Sequence, residues 1–444
     1  MQSQVRVSVG LALLALLVHV YMKTMAQGEE SLVQLGAVTT SSIALWLFAL
    51  NATSVRVRYS NADNDTPQQV VQSLLSRAPA TLWLQGLAPA TTYRLHVELL
   101  DETTTHVVYA KDMAASTLSD DVSAPVSFAF GSCTMAIPLL YDLVGFGSNL
   151  DYIASVVSPA FMLLLGDQVY ADIDIPTRAT DALYQATVQD PSYKALTQST
   201  PIFSMYDDHE IFNNWNQGED DPLYTERVRL FHVYFGQRNP KPLRDGDHYY
   251  AWQAGAASFF MLDVRKYASP KTMVDGPTKT KLGAVQKRHL LAWLLAAKTP
   301  FKFMVSPMVV SSLGLHSTDE GWALYQSEYH EIFDAVVAHN ISGVVVLSGD
   351  LHWAGFFQHG AYPFLFEMGA SPIAALPVPP LVPRWLVDST DTLHFSSFTG
   401  THFGLVDVAS RSLRLTIYRA RLGWPQPVFT RELLWTDTIP EPAT

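Results

Sequence analysis

Four apolar stretches of this sequence each end in side chains that bind metals or transfer protons. Thiolate, carboxylate, phenolate and imidazole groups are all metal ligands in proteins. A short apolar run closed by Gly or Asp is typical of a buried strand, and open α/β sheets bind their ligands at the carboxyl ends of strands. The repeated pattern therefore predicts a dinuclear metal centre at one edge of a sheet. The four stretches and their endings are Val126–Phe130 with Gly131-Ser132-Cys133, Phe161–Leu165 with Gly166-Asp167-Gln168-Val169-Tyr170, Pro201–Tyr206 with Asp207-Asp208-His209-Glu210, and Val344–Leu347 with Ser348-Gly349-Asp350-Leu351-His352.

Each motif taken alone also has an ordinary structural explanation. The adjacent carboxylates of Asp207 and Asp208 would repel each other unless a cation or hydrogen bonds held them. The sequence contains a single cysteine, so an internal disulfide is excluded and the thiol is either inert or used for chemistry. The structural alternatives are a helix cap at Asp167 or Asp207, a core histidine at His352 and a buried inert thiol at Cys133.

The pattern between these motifs predicts the architecture that positions them. From about Ser31 to Thr117, short alternating strands favour a small β-sandwich with Trp46 in its core. A Tyr that opens a strand after a Pro-containing turn, Tyr93, resembles the corner of a fibronectin type III domain. After a polar linker, Ser119–Pro125, strands alternate with helices, which predicts a layered α/β domain. We expect domains at residues 27–120 and 121–444, with helices near Met135–Phe146, Asp181–Val188, Leu282–Ala297 and Trp322–Ala338.

Composition and the amino terminus indicate a secretory route. Arg6 precedes an apolar run from Val7 to about Met22, and small residues before a cut after Ala26 complete the layout of a signal peptide. Retention of residues 1–26 as a membrane anchor is the alternative. Three glycosylation sequons agree with secretion, and the net charge of −12 argues against a nucleic-acid partner. The sequons begin at Asn51, Asn64 and Asn340.

The motifs GSC, GDQVYAD, DDHEIFNNW and SGDLHWAGF, in this order, resemble those of the PhoD-like alkaline phosphatases. This family is a branch of the calcineurin-like metallophosphoesterases and is related to the purple acid phosphatases. The resemblance covers nearly the whole chain after residue 26. It implies a layered sandwich of β-sheets flanked by helices, preceded by a small all-β domain of fibronectin III or immunoglobulin type. It also implies a secreted phosphoric ester hydrolase that uses a dinuclear metal centre and a metal-activated water.

The resemblance also implies a role for each site residue. The first metal, Fe³⁺ in relatives, would be held by Cys133, Tyr170 and His352. Asp167 would bridge to a second metal, Ca²⁺ or another divalent cation. The remaining expected site residues are Asp208 and Asp350 on the second metal, Asn214 as a further contact, His209 facing the phosphate, and Arg265 as a charge clamp on the phosphate.

Two other functions stay open on the sequence alone. A phosphodiesterase or phospholipase D-like activity at the same site is one, because the motifs do not distinguish a phosphomonoester substrate from a phosphodiester. A secreted binding protein with a relic metal domain is the other. For either phosphoester activity we expect a small phosphoester substrate, a monomer, and contact with a membrane only if the amino-terminal segment is retained.

Overall fold

The computed structural model describes residues 30–62, 66–102, 106–135, 148–172, 180–313, 321–378, 389–421 and 423–440. The predicted signal peptide, the sequon at Asn64 and, apart from Met135, the predicted helix near Met135–Phe146 lie outside these ranges. Within them, no helix combines the length and the apolar character needed to cross a bilayer.

The amino-terminal region is an all-β sandwich, as predicted. Burial alternates between buried and more exposed residues along β3 (Ser54–Asn61) and the first part of β6 (Thr92–Leu100), which is the pattern of strands with one face on a core. The Tyr93 hydroxyl accepts a hydrogen bond from the backbone N–H of Ala88 at 2.9 Å, which closes a tyrosine corner. One sheet contains β1 (Leu32–Val38), β2 (Ser42–Phe48) and β5 (Pro79–Gln85), and the other contains β3 (Ser54–Asn61), β4 (Gln68–Ser73), β6 (Thr92–Leu100) and β7 (Val107–Ser116).

Two larger sheets follow in the described part of the chain and confirm the predicted layered α/β class. The six-stranded sheet has the order β10 (Ile202–Met205), β9 (Met162–Leu165), β8 (Val126–Gly131), β18 (Thr401–Val408), β19 (Ser412–Ala420) and β20 (Gln426–Leu434). The seven-stranded sheet has the order β11 (Tyr250–Ala254), β12 (Ala257–Met261), β13 (Phe301–Ser306), β14 (Val344–Ser348), β16 (Phe366–Gly369), β15 (Ala354–Gln358) and β17 (Thr392–Ser397). In the first sheet β8, β9 and β10 are parallel, and in the second β12, β13, β14 and β16 are parallel.

Helices lie between the strands along the chain. Two of them begin with an Asp-Pro pair. Asp190 accepts hydrogen bonds from two backbone N–H groups of the helix Pro191–Ser199 at 3.0 Å, and Asp221 accepts one from the first turn of the helix Pro222–Tyr234 at 2.9 Å. Among the described residues the helices are α1 (Ser148–Tyr152), α2 (Thr180–Gln189), α3 (Pro191–Ser199), α4 (Pro222–Tyr234), α5 (Gly283–Ala296) and α6 (Gln326–Ala338), with a π turn at Ile153–Val157 and 3₁₀ turns at Gly236–Arg238, Trp322–Leu324 and Trp435–Thr438.

An aromatic cluster joins the two large sheets face to face. Phe128 of β8 stacks on Phe161 with ring centroids 5.2 Å apart. It also meets the edges of Phe259 in β12 and Phe303 in β13, at 5.0 and 5.3 Å. All four rings are fully buried, and each contributes about 1.5–3 kcal/mol by its removal from water. This packing fixes the parallel strands of both sheets against each other, so the loops after them meet at one edge.

The sandwich packs against the α/β domain through its three-stranded sheet. Every residue of β1 is buried, because one face of this strand lies on the sandwich core and the other on the next domain. Trp46 is buried as predicted, but its indole N–H donates to the carbonyl of Val233 at 3.3 Å and its ring lies 5.5 Å from the Arg238 guanidinium. Arg238 in turn donates to Gln34 of β1 at 3.1 Å. Trp46 is therefore an interface residue rather than one confined to the sandwich.

Candidate metal centre

The structure brings the four predicted strand ends to one place between the two large sheets. The loops after β8, β9 and β10 leave the six-stranded sheet, and the loop after β14 leaves the seven-stranded sheet. Three groups of side chains there have potential ligand atoms that all lie within 4.8 Å of one another, and consecutive groups share an aspartate. The groups are Cys133, Asp167 and His352; Asp167, Asp208 and His209; and Asp207, Asp208 and Asp350.

Tyr170 joins the group of Cys133, Asp167 and His352. Its hydroxyl lies 3.2 Å from His352 Nε2, and Cys133 Sγ lies 3.4 Å from Asp167 Oδ2. The other ring nitrogen of His352, Nδ1, lies 2.6 Å from the carbonyl oxygen of Leu376. A carbonyl on one nitrogen fixes the orientation of an imidazole and leaves the other nitrogen for a ligand. Nε2 is thus the atom of His352 that faces the cluster.

Five of the predicted ligands have left-handed backbone conformations, which are rare outside glycine, and Asn214 with a φ of 58° is one of them. The other φ angles are 60° for Cys133, 53° for Asp167, 65° for Asp350 and 53° for His352. Strained backbone of this kind persists where surrounding contacts fix it and is concentrated at functional sites. The neighbouring loop is equally tight, because a Cβ atom on Gly166 would lie 2.4 Å from the Cβ of Asp207.

Glu210, for which the sequence motifs predicted no role, anchors two of the loops. Its buried carboxylate accepts hydrogen bonds from the backbone N–H groups of Asp167 at 2.9 Å, Gln168 at 2.6 Å, Val169 at 3.2 Å and Asp207 at 2.9 Å. Burial raises the pKa of Glu210 to about 7, although these hydrogen bonds act in the opposite direction. Glu210 therefore holds the loop after β9 against the loop after β10.

Arg265, predicted as a charge clamp on the phosphate, is fully buried beside the two adjacent carboxylates. Its Nε donates to Asp207 Oδ1, its Nη1 donates to the carbonyl of Trp215 at 3.1 Å, and its Nη2 lies 3.5 Å from Asp208 Oδ1. Burial would raise the pKa of Asp208, but Arg265 and then His209 outweigh it and lower that pKa. The positive charge of Arg265 thus compensates the negative charge of the two adjacent carboxylates.

His209 is oriented by Asp172, the last residue of the GDQVYAD motif, for which no role was predicted. His209 Nδ1 lies 2.9 and 3.0 Å from the two carboxylate oxygens of Asp172, and its ring packs on Tyr170 with centroids 4.2 Å apart. Burial lowers the pKa of His209, but the hydrogen bond to Asp172 and the charge of Asp208 outweigh it and raise the pKa to about 9. The backbone N–H of Asn214 donates to Asp208 Oδ2 at 2.5 Å, so this residue contacts the cluster through its main chain.

The electrostatics of the cluster fit bound cations. Burial, and then the charges of Asp208 and Cys133, hold the pKa of Asp167 well above its usual range. Burial would raise the pKa of the Cys133 thiol, but His352 outweighs burial and lowers it. Among the described residues, the buried Oδ2 atoms of Asp207 and Asp350 have no hydrogen-bond partner. Buried carboxylates are normally paired or bind metals, and this mixture of sulfur, nitrogen and oxygen donors suits transition-metal and harder cations.

Comparison with known proteins agrees with this geometry. A family model described as PhoD-like phosphatase matches residues 128–381, more than half of the chain. Alkaline phosphatase D of Bacillus subtilis (strain 168) is 26% identical over 200 residues, which cover 37% of this chain and 33% of that protein. In this match the chain spans about a third of the length of its curated relative.

Two solved structures share the fold. One titled as the structure of PhoD has a TM-score of 0.73 at 16% identity and covers 93% of this chain and 91% of its own. The purple acid phosphatase PPD1 of yellow lupin (Lupinus luteus) has a TM-score of 0.66 at 13% identity, with 92% and 76% covered. Both confirm the predicted architecture, and the family match confirms the predicted resemblance. The chain belongs to the PhoD-like phosphatase family.

Proposed function

We propose that this chain is a metal-dependent phosphoric ester hydrolase with a dinuclear metal centre. The observation that carries the proposal is the set of three overlapping ligand groups, in which Asp167 and Asp208 each belong to two. A shared carboxylate is what a pair of neighbouring cations requires, and such pairs clamp the attacking and leaving oxygens of a phosphoryl transfer. Membership of the PhoD-like phosphatase family supports the same activity.

The ligand assignment follows the grouping of side chains. Cys133, Tyr170 and His352 would hold the first metal and Asp167 would bridge to the second. We propose iron(III) for the first site, because phenolate and thiolate donors stabilise an oxidised hard cation. The second, all-oxygen site suits calcium or another divalent cation. When bound, the two cations polarise the phosphoester and increase the acidity of water at the site. The ligands proposed for the second metal are Asp208, Asp350 and Asn214.

The side chains of the site supply proton transfer and charge. His209 stays protonated at neutral pH, because its pKa is about 9. Held by Asp172 at Nδ1, it can donate the proton on Nε2 to a phosphoryl oxygen or to the leaving oxygen. Arg265 does not touch the substrate in this proposal; it holds Asp207 and Asp208 in place and lowers the pKa of Asp208.

The proposal is tested by metal analysis and hydrolysis on the purified full chain. We expect iron together with a second metal, and hydrolysis of para-nitrophenyl phosphate that Asp167→Asn reduces by at least a thousandfold, on the order of what loss of a key catalytic group costs. Asp245→Asn, at a side chain that is 89% exposed, is the matched control and should retain full activity. Full turnover by Asp167→Asn would refute the ligand assignment. Bound metal without any hydrolysis would favour the binding-protein alternative.

Substrate class and location are part of the same proposal. Rates on para-nitrophenyl phosphate and on bis-para-nitrophenyl phosphate separate a phosphomonoesterase from a phosphodiesterase, which would use the same ligands. We propose that the protein is secreted after cleavage behind Ala26. The intact mass of protein collected from the medium of a secreting host tests this, and retention of residues 1–26 in a membrane fraction would contradict it.

A further inference from the structure

Two serine hydroxyl groups flank the sulfur atom of Cys133. Ser371 Oγ lies 3.1 Å from Cys133 Sγ and Ser132 Oγ lies 3.3 Å from it. Both serines and the cysteine are buried, with at most 1% of each residue exposed. Neither serine belongs to the ligand groups described above.

Each hydroxyl also accepts a hydrogen bond from the backbone of a proposed ligand on the loop after β14. The N–H of Asp350 donates to Ser132 Oγ at 2.9 Å, and the N–H of His352 donates to Ser371 Oγ at 3.1 Å. A backbone N–H can only donate, so each of these bonds uses a lone pair of the hydroxyl. The single proton of each hydroxyl can then form a hydrogen bond to the sulfur, and a thiolate accepts such a bond. Both serine hydroxyls are therefore hydrogen-bond donors to Cys133 Sγ.

The two serines approach the sulfur from different sheets. Ser132 follows β8 in the six-stranded sheet, and Ser371 follows β16 in the seven-stranded sheet. The approach at Ser132 is tight, because a Cβ atom on Gly349 would lie 2.6 Å from Ser132 Oγ. The two hydroxyls thus connect the thiolate loop to the loop that carries Asp350 and His352.

We propose that Ser132 and Ser371 are positioning residues that set the orientation and the electron donation of Cys133 as a metal ligand. The inference rests on the metal centre of the proposed function. Hydrogen bonds to a ligating sulfur withdraw electron density from it, and such contacts tune metal affinity and reduction potential. Because each hydroxyl also binds the backbone of Asp350 or His352, the same contacts keep ligands of the two loops in register.

Cobalt(II) is a suitable probe, since its sulfur-to-metal charge-transfer band reports directly on the thiolate. Metal-free full-length protein is loaded with cobalt(II), and the band is compared in wild type, Ser132→Ala, Ser371→Ala and the double variant. We expect the band to move to longer wavelength in each single variant and further in the double variant, because a thiolate without donors is a stronger electron donor. Chelator competition should show roughly 10-fold weaker cobalt(II) binding in the double variant.

Three further variants make the result decisive. Cys133→Ser should abolish the band, Ser371→Thr should keep its wild-type position, and Ser258→Ala, which removes a buried hydroxyl bond to Thr299 at 2.8 Å, should leave band and affinity unchanged. If Ser371→Ala does not fold, Ser132→Ala carries the same test. An unshifted band in the folded serine variants would overturn the proposal, even if affinity falls, because that result shows a structural role alone. Absence of a sulfur band in wild type would overturn it as well. A shifted band in protein that hydrolyses no phosphoester would refute the proposed function and support this inference.

Discussion

Replacing Asp172 by asparagine should move the alkaline limit of hydrolysis to lower pH. The carboxylate lies 2.9 Å from His209 Nδ1 and is among the groups that raise the pKa of this histidine from 6.5 to about 9. This rise corresponds to about 3 kcal/mol of preference for the protonated form. Without the charge of Asp172, burial pulls the pKa back towards 6.5 or below. A cation bound to Asp208 offsets the charge of that second carboxylate, so the contribution of Asp172 then dominates.

The size of the effect follows from the two pKa values. At pH 8.5 about three quarters of His209 is protonated with a pKa of about 9, and about one molecule in a hundred with a pKa of 6.5. If His209 is the proton donor, Asp172→Asn should lower kcat at pH 8.5 by roughly 75-fold and leave it within a few-fold of wild type at pH 6. The assay is a profile of kcat and kcat/KM for para-nitrophenyl phosphate between pH 5 and 10.

Stability gives an independent readout of the same pair. A histidine whose pKa is raised on folding stabilises the fold fully below its unfolded pKa, and this contribution is lost as pH rises through the folded value. The loss of stability in metal-free Asp172→Asn should therefore be largest near pH 6 and vanish near pH 10. Asp112→Asn is the matched control, because Asp112 binds His96 at 2.6 Å in the sandwich and is 86% exposed. An unchanged alkaline limit in Asp172→Asn would refute the role of His209 as the acid.

Three further outcomes are expected. Arg265→Met leaves the carboxylates of Asp207 and Asp208 buried without their cation, so thermal unfolding of the metal-free protein should show a loss of about 3–5 kcal/mol, whereas a phosphate clamp would change KM alone. Gly349→Ala should cost about 1–3 kcal/mol in denaturant unfolding, because its Cβ would lie 2.6 Å from the carbonyl oxygen of Pro307. Removal of metal by a chelator should lower the melting temperature, with recovery on addition of metal, because a ligand of the native state stabilises it; an unchanged melting temperature would contradict the metal centre.

The elements with a clear hydrophobic pattern were predictable from the sequence. The predicted helices at Asp181–Val188 and Leu282–Ala297 are confirmed as Thr180–Gln189 and Gly283–Ala296. The helix predicted from Trp322 begins as a 3₁₀ turn and becomes α-helical at Gln326. The helices that were not predicted lack a helical apolar periodicity. Two of them nevertheless have a start signal in the sequence, the Asp-Pro pairs Asp190-Pro191 and Asp221-Pro222.

Strands β1 and β20 could not be predicted from an alternation of polar and apolar residues, and the reason is their position in the fold. Strand β1 is buried on both faces, so its sequence LVQLGAV does not alternate between polar and apolar residues. Strand β20 lies at the edge of its sheet and is mostly exposed, and the apolar residues of its sequence QPVFTRELL stand in adjacent pairs rather than at alternating positions. Burial on both faces at β1 and exposure at the sheet edge at β20, rather than local sequence, decided these cases.

Residue type at a strand end could identify candidate ligands, whereas the residues that orient them needed the fold. The carboxyl ends of parallel strands meet at one edge, so the sequence pattern alone places Cys133 and Asp167 together. Orienting contacts join loops that are far apart in the chain: Asp172 and His209 are separated by 37 residues, and Ser371 and Cys133 by 238. No local spacing encodes such a pair. For the same reason the contacts of Arg265 with the carboxylates of Asp207 and Asp208, which make it a buried counter-ion in this structure, could not be predicted from the sequence.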